Sequence, residues 1–225
     1  MAEFFLVCIR KMPSRDFPDT ELLAAGYYSV FAGQKTYNGV AILSREQASD
    51  VQMGIPGYED EQKRGITATF SDVRVVCVYI PNGQSPDSDK YQYKLGWLAA
   101  LHDWLKEELV RYPKLVLLGD YNIAPEDHDP AACVGNVLVN EPERAAFRGL
   151  EALGLKDSYR LFDQQEKTFS WWGYQMMAFR RNMGMRIDHI LISEPLVAEC
   201  KSCVIDKTPR KLERPSDHTP VVVEL

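Results

Sequence analysis

Short apolar bursts separated by Gly-, Pro- and Asp-rich punctuation dominate the chain, and their periodicity assigns the elements. Leu115-Val116-Leu117-Leu118-Gly119-Asp120-Tyr121-Asn122 is a continuous apolar run, the pattern of an interior strand buried on both faces, and it ends by presenting a carboxylate and an amide. Phe4 to Ile9 reads as another buried strand, as do Ile187 to Ile192 and Val221 to Val223. Tyr27 to Phe31 and Gly39 to Leu43 flank a polar turn and predict a hairpin; Ile66 to Phe70 and Val73 to Ile80 do the same about Ser71-Asp72. Leu98, Leu101, Leu105 and Leu109 recur at spacings of three and four, which predicts a helix from Lys90 to Tyr112 closed by Pro113, with Trp97 and Trp104 in the core. An amphipathic helix is expected over Glu141 to Gly154, and a short one over Thr20 to Ala25, capped by Asp19. Val51 to Gln62 reads as irregular, Ile123 to Asn140 as a long loop, and Phe169-Ser170-Trp171-Trp172 as the start of an aromatic strand.

Strands and helices alternate through hairpins and crossovers, so the expected class is mixed α/β with largely antiparallel sheets, in one domain over residues 1–225. The net charge of −6 excludes a polycation and requires that any nucleic-acid contact use a local basic face. Five scattered cysteines make no disulfide framework, and Cys200-Lys201-Ser202-Cys203 lacks the second half of a zinc site. No apolar run reaches membrane-spanning length and the first residues lack the flanks of a signal peptide, so a cytoplasmic protein is expected.

Polar residues that carry chemistry gather at the ends of the apolar runs. They are Tyr79 with Asn82, Asp120 with Asn122, Asp188 embedded in its strand, and Asp217 with His218. Asp-x-Asn could be an Asx turn after a strand; it also offers a carboxylate that can hold Mg²⁺ or activate water, and an amide that can orient that water. With a second Asp beside a His, the inventory is that of a metal-assisted phosphodiester hydrolase.

The ordered blocks Gly33-Gln34-Lys35-Thr36-Tyr37-Asn38-Gly39-Val40-Ala41, Tyr79-Ile80-Pro81-Asn82-Gly83, Gly119-Asp120-Tyr121-Asn122, Phe169-Ser170-Trp171-Trp172, Arg186-Ile187-Asp188-His189 and Arg214-Pro215-Ser216-Asp217-His218 resemble the exonuclease III family of AP endonucleases. The likeness runs from about Lys11 to Leu225. It implies a four-layer sandwich of two packed sheets flanked by helices, with Mg²⁺, or Mn²⁺ in its place, as cofactor. It further implies that Asp120 positions or deprotonates the attacking water, with Asn122 beside it as water orienter and metal contact, and that Asp217 holds the metal. His218, oriented by Asp188, would contact the scissile phosphate, while Tyr79 and Asn82 donate to its oxygens and Trp171 packs against the sugar of an abasic site. Lys11, Lys35 and Arg181 would bind substrate, within a basic rim that also draws on Lys63, Arg64, Arg180, Arg210 and Lys211. The implied partner is duplex DNA with abasic sites or 3′ ends, bound by a monomer.

Against the family pattern, the opening strand and helix are missing, roughly twenty to thirty residues at ordinary element lengths. Ile9 then occupies the position of the principal metal-ligand glutamate, and Gly173 replaces a common acidic residue. Weakened Mg²⁺ binding is expected, and a strand from a second copy could fill the gap. Three readings follow: a Mg²⁺-dependent DNA nuclease, a catalytically impaired DNA-binding relative, and a phosphatase for small or lipid phosphates. The aromatic and Met-rich segment up to Arg181 resembles the DNA-binding side of the nucleases and disfavours the last.

Overall fold

The computed structural model describes residues 4–8, 13–35, 38–130 and 137–225, the first of these as backbone strand only. Ile9 and Lys11 therefore lie outside the described residues. The elements run β1 (Phe4–Cys8), α1 (Asp19–Ala24), β2 (Tyr28–Gly33), β3 (Gly39–Ser44), β4 (Ser49–Met53), β5 (Gly65–Phe70), β6 (Val73–Tyr79) and α2 (Asp89–Arg111). They continue with β7 (Leu115–Asp120), α3 (Glu141–Ala152), β8 (Leu155–Asp157), β9 (Asp188–Ser193), α4 (Glu194–Val197), β10 (Ser202–Ile205) and β11 (Val221–Glu224).

Among the described residues β4-β5-β6-β7-β9-β8 form one sheet, whose β6–β7 pair is parallel and whose other pairs are antiparallel. Smaller sheets, β1-β3-β2 and β10-β11, complete the strands. The continuous apolar run of β7 has the cause its pattern implies. Leu115 and Leu117 face a core with Trp97, Leu98, Leu101 and Leu105 of α2 and with Phe147 and Leu150 of α3. Val116 and Leu118 face the opposite core, with Val40 and Ile42 of β3. Helices, large sheet and smaller sheet thus stack in layers, as the mixed α/β reading requires, and α1 lies beside β2 with none of its residues buried.

Four local expectations change. Ser49–Met53, inside or beside the stretch expected to be irregular, pairs with β5 through a register shift, an edge strand whose residues are largely exposed, Val51 and Met53 included. Leu155–Asp157 and Ser202–Ile205 are strands too short to show a period. Asp19 is the first helical residue rather than the cap, and Pro18 at the cap position provides no side-chain bond. The aromatic strand is absent as such: Trp171 makes isolated bridges to Met185 and His218. Gly184 explains the tight crossing there, because a Cβ on it would lie 2.5 Å from Trp172 Nε1 and 2.6 Å from the Trp171 carbonyl oxygen. Among the described residues Cys77, Cys200 and Cys203 are free thiols. Among the described residues no helix is long and apolar enough to cross a membrane.

Candidate active site

The parallel pairing of β6 and β7 brings their C-terminal ends to one edge of the sheet, and antiparallel β9 brings its first residue there. Register then decides what meets: Tyr79 lies opposite Asp120, and Asp120 opposite Asp188. Three of the polar residues singled out by their strand-end positions therefore form one lateral row across three adjacent strands. Loops beyond the carboxyl ends of parallel strands are where open α/β sheets place their ligands. Gly119 permits the approach, since its φ of 139° and a Cβ position 1.9 Å from the Val78 carbonyl oxygen leave no room for a side chain.

Asp120 is buried at 1 % exposure, and its Oδ1 accepts the backbone N–H of Asn122 at 2.9 Å. That Asx turn, the bland reading of Asp-x-Asn, coexists with a functional placement. Asn122 sits in the left-handed region at φ 50°, which Asn tolerates better than most residues. Its Nδ2 donates to the Ile80 carbonyl at 3.0 Å, and its Oδ1 accepts from Asn82 Nδ2 at 3.0 Å. Asn82 and Asn122 are thus joined, with Asn82 on the exposed side.

His218 reaches this row from the segment before β11. Its Nδ1 lies 3.0 Å from both carboxylate oxygens of Asp188, and its Nε2 lies 3.9 Å from Asp120 Oδ2. A carboxylate acceptor at Nδ1 places the proton there and turns Nε2 toward the cleft. Ser170 holds the carrier segments in place: its Oγ accepts the N–H groups of Ile187 and Asp188, each at 3.1 Å, and its carbonyl accepts the Thr219 N–H at 2.8 Å. Trp171 Nε1 donates to Asp217 Oδ2 at 3.1 Å, which ties the expected sugar platform to the expected metal ligand.

Ligand atoms of Asp120, Asp188 and His218 all lie within 4.8 Å of one another. The two carboxylates of this set are hard oxygen donors, the kind that suits a hard cation, and His218 adds a nitrogen. Asp217 stands outside that tight grouping, and Asp188 is already engaged by His218. A second grouping, Glu126, His128 and Asp129, is a poorer candidate because Arg186 and Arg160 occupy the Asp129 carboxylate.

Of the expected basic rim, Lys35, Lys63, Arg180, Arg181 and Lys211 are exposed. Arg64 and Arg210 are not. Arg64 is buried, donates to the Tyr79 carbonyl at 2.9 Å and lies over the Tyr79 ring at 4.9 Å. Arg210 is buried against Trp172 and Phe179 and bonds the Ser216 carbonyl. Tyr174, Met176 and Met177 are exposed beside Arg180, and both methionines have φ near 54°.

Sequence reasoning missed the groups behind the site. Lys94 and Glu143, both 0 % exposed, form an ion pair at 2.8 Å. Burial pulls the Lys94 ammonium down from its ordinary value, while Glu143 and Asp120 oppose that pull. A signal for Lys94 existed, because it falls on the stripe that continues Leu98, Leu101 and Leu105 toward the N-terminus of α2. Arg186, near Arg180 and Arg181 in the chain, is 1 % exposed and bonds Asp129 at 2.6 Å and Asp157 at 2.7 Å.

His189 completes that buried network: its Nε2 donates to the Ile123 carbonyl at 2.8 Å, and its Nδ1 accepts from Arg186 at 3.0 Å. Burial first, and the Arg186 charge second, pull its pKa down to about 4. The unfolded chain binds that proton near pH 6.5 and the native state resists it, so stability falls as pH drops from 6.5 toward 4. The loss is on the order of 3 kcal/mol by linkage. In urea titrations, His189→Gln, which removes the titration, should lose less stability between pH 7.5 and pH 5 than the wild type. Equal losses would exclude this assignment.

A model of the Endonuclease/Exonuclease/phosphatase family matches residues 11–218. The chain is 33 % identical to exodeoxyribonuclease III of Haemophilus influenzae, over 95 % of this chain and 86 % of that protein. It is similar to the structure of a Neisseria 3′ phosphatase bound to product DNA hairpin, with 42 % identity and a TM-score of 0.96 over 98 % of this chain and 88 % of that one. It also matches an AP endonuclease from Archaeoglobus fulgidus, with 35 % identity and a TM-score of 0.93 over 98 % and 87 % of the two chains.

Proposed function

The chain belongs to the endonuclease/exonuclease/phosphatase family, among relatives of exodeoxyribonuclease III, and we propose that this hydrolase cleaves phosphodiesters at abasic sites and 3′ ends of duplex DNA. The observation that carries the reading is the lateral row Tyr79, Asp120 and Asp188, with the His218 ring set between the two carboxylates. The nuclease, AP endonuclease and 3′ phosphatase relatives support DNA as the substrate.

In this reading Asp120 holds the attacking water and takes its proton, with Asn122 fixing the direction of attack. Tyr79 and Asn82 donate to the non-bridging phosphate oxygens, and His218 Nε2 faces the scissile phosphate. Asp188 is a positioning residue: it keeps the His218 proton on Nδ1. Asp120, Asn122 Oδ1 and Asp217 would hold Mg²⁺ or Mn²⁺, which when bound counters charge developing on the phosphoryl oxygens. Trp171 packs on the deoxyribose, and Lys11, Lys35 and Arg181 engage flanking phosphates. The exposed Tyr174, Met176 and Met177 beside Arg180 present the mixed apolar and cationic face that a DNA groove accepts.

The test is hydrolysis of two duplexes, one with an internal tetrahydrofuran and one with a recessed 3′-hydroxyl end, under Mg²⁺ titration. Cleavage that requires the added cation and stops with chelator is expected. Tight duplex binding without cleavage at any Mg²⁺ or Mn²⁺ concentration would instead identify the catalytically impaired, DNA-binding relative.

A further inference from the structure

Lys94 is a fully buried lysine, and two of its three contacts go to the loops that display Asn82 and Asn122. Its Nζ donates to the Asn122 carbonyl at 2.7 Å, to the Asn82 carbonyl at 3.3 Å and to Glu143 Oε1 at 2.8 Å. An ammonium has three protons and no acceptor, so these contacts exhaust it. Asn82 and Asn122 belong to separate loops, after β6 and after β7, and each has its backbone carbonyl on the ammonium while their side chains meet on the cleft side at 3.0 Å. Glu143 comes from α3 and Lys94 from α2, so both helices of the layer behind the sheet brace the same point.

A buried ion pair of this kind is weak evidence for stability, because apolar residues of similar volume often serve as well or better. The choice of a lysine here calls for another reason. An apolar side chain could fill the space, yet it could not hold two carbonyls of different loops at a set separation. We propose that Lys94 is a positioning residue for the hydrolytic reaction: it fixes the Asn82–Asn122 amide pair relative to Asp120, and Glu143 compensates its charge. This assignment rests on the proposed DNA-hydrolase reading of the same site.

Breaking the pair from one side would leave a buried charge, so Lys94→Met alone risks unfolding. The informative variant is Lys94→Met combined with Glu143→Gln, which removes both charges and keeps the Glu143 side-chain acceptor used by the Asn140 N–H at the start of α3. With far-UV circular dichroism matching the wild type, kcat on the tetrahydrofuran duplex should fall by about tenfold to a hundredfold, since small misplacements of reacting groups carry penalties of that size. KM should stay within about threefold, because the phosphate-binding rim is untouched. The Asn82 and Asn122 side-chain amide resonances, assigned in ¹⁵N spectra, should shift and exchange faster with solvent. Wild-type turnover, or unchanged amide resonances and exchange, in the folded double variant would overturn the assignment. A wild type that cleaves none of the DNA substrates sinks the hydrolase reading instead, and the amide spectra alone then decide the placement role of Lys94.

Discussion

Asp120→Asn is expected to reduce cleavage of abasic duplex by about three orders of magnitude or more at saturating Mg²⁺, with the fold intact. The amide is isosteric with the carboxylate and its oxygen can still accept the Asn122 N–H, so the Asx turn that shapes the end of β7 survives. What disappears is the negative charge, and with it both the capacity to take a proton from water and a buried carboxylate donor for a hard cation. Single-turnover rates, paired with thermal melting to confirm folding, measure the effect. A folded variant that retains more than a tenth of the wild-type rate would remove Asp120 from the chemistry.

Arg186→Met carries the largest expected effect on stability. The guanidinium bonds Asp129 at 2.6 Å and Asp157 at 2.7 Å from a site 1 % exposed, and it sits 5.2 Å over the Tyr159 ring. Its own pKa is raised: burial alone would lower it, and the two carboxylates outweigh that. Burial would likewise raise Asp129, but the Arg186 charge and hydrogen bond hold it below the ordinary carboxylate range. Removing one partner leaves buried carboxylates without their cation, a loss of about 3–5 kcal/mol. For a chain of this size that corresponds to a fall in Tm of about 10 °C. The sign with pH follows from Asp129: its depressed pKa contributes stability above the unfolded carboxylate value, and the wild type loses that contribution as the solution is acidified through the native value. The gap between wild type and variant should therefore narrow on acidification below about pH 4. Calorimetry at pH 7 checks the first statement and a pH series the second; a Tm within about 2 °C of the wild type at pH 7 would show that the network adds little. Because Asp129 belongs to the loop after Asn122 and its carboxylate is held by the Arg186 guanidinium, slower turnover is expected together with the lower Tm.

The elements were legible where burial leaves a period. The run Leu115 to Leu118 marked β7 because opposite faces meet different cores, and the leucine spacing marked α2 because one face of it meets the sheet. Edge strand β4 and three-residue β8 left no such mark, since exposed or very short segments place no constraint on alternate positions. The burial of Arg186 was not legible, because a charged residue in sequence carries no record of which carboxylates the fold will bring to it. Trp171-Trp172 suggested a strand from aromatic content, whereas the segment pairs at single residues around the crossing made possible by Gly184.

By itself the sequence determined which residues could do the chemistry, and that they stand where apolar runs end: a strand buried on both faces can carry a carboxylate only where it emerges. Only the tertiary structure decided that Tyr79, Asp120 and Asp188 share one row, since a slip of one residue in either pairing would turn these side chains to opposite faces. It likewise decided that His218 lies between two of these carboxylates and that Lys94 braces the loops behind them, because contacts between residues so far apart in the chain are set by packing and register rather than by local pattern.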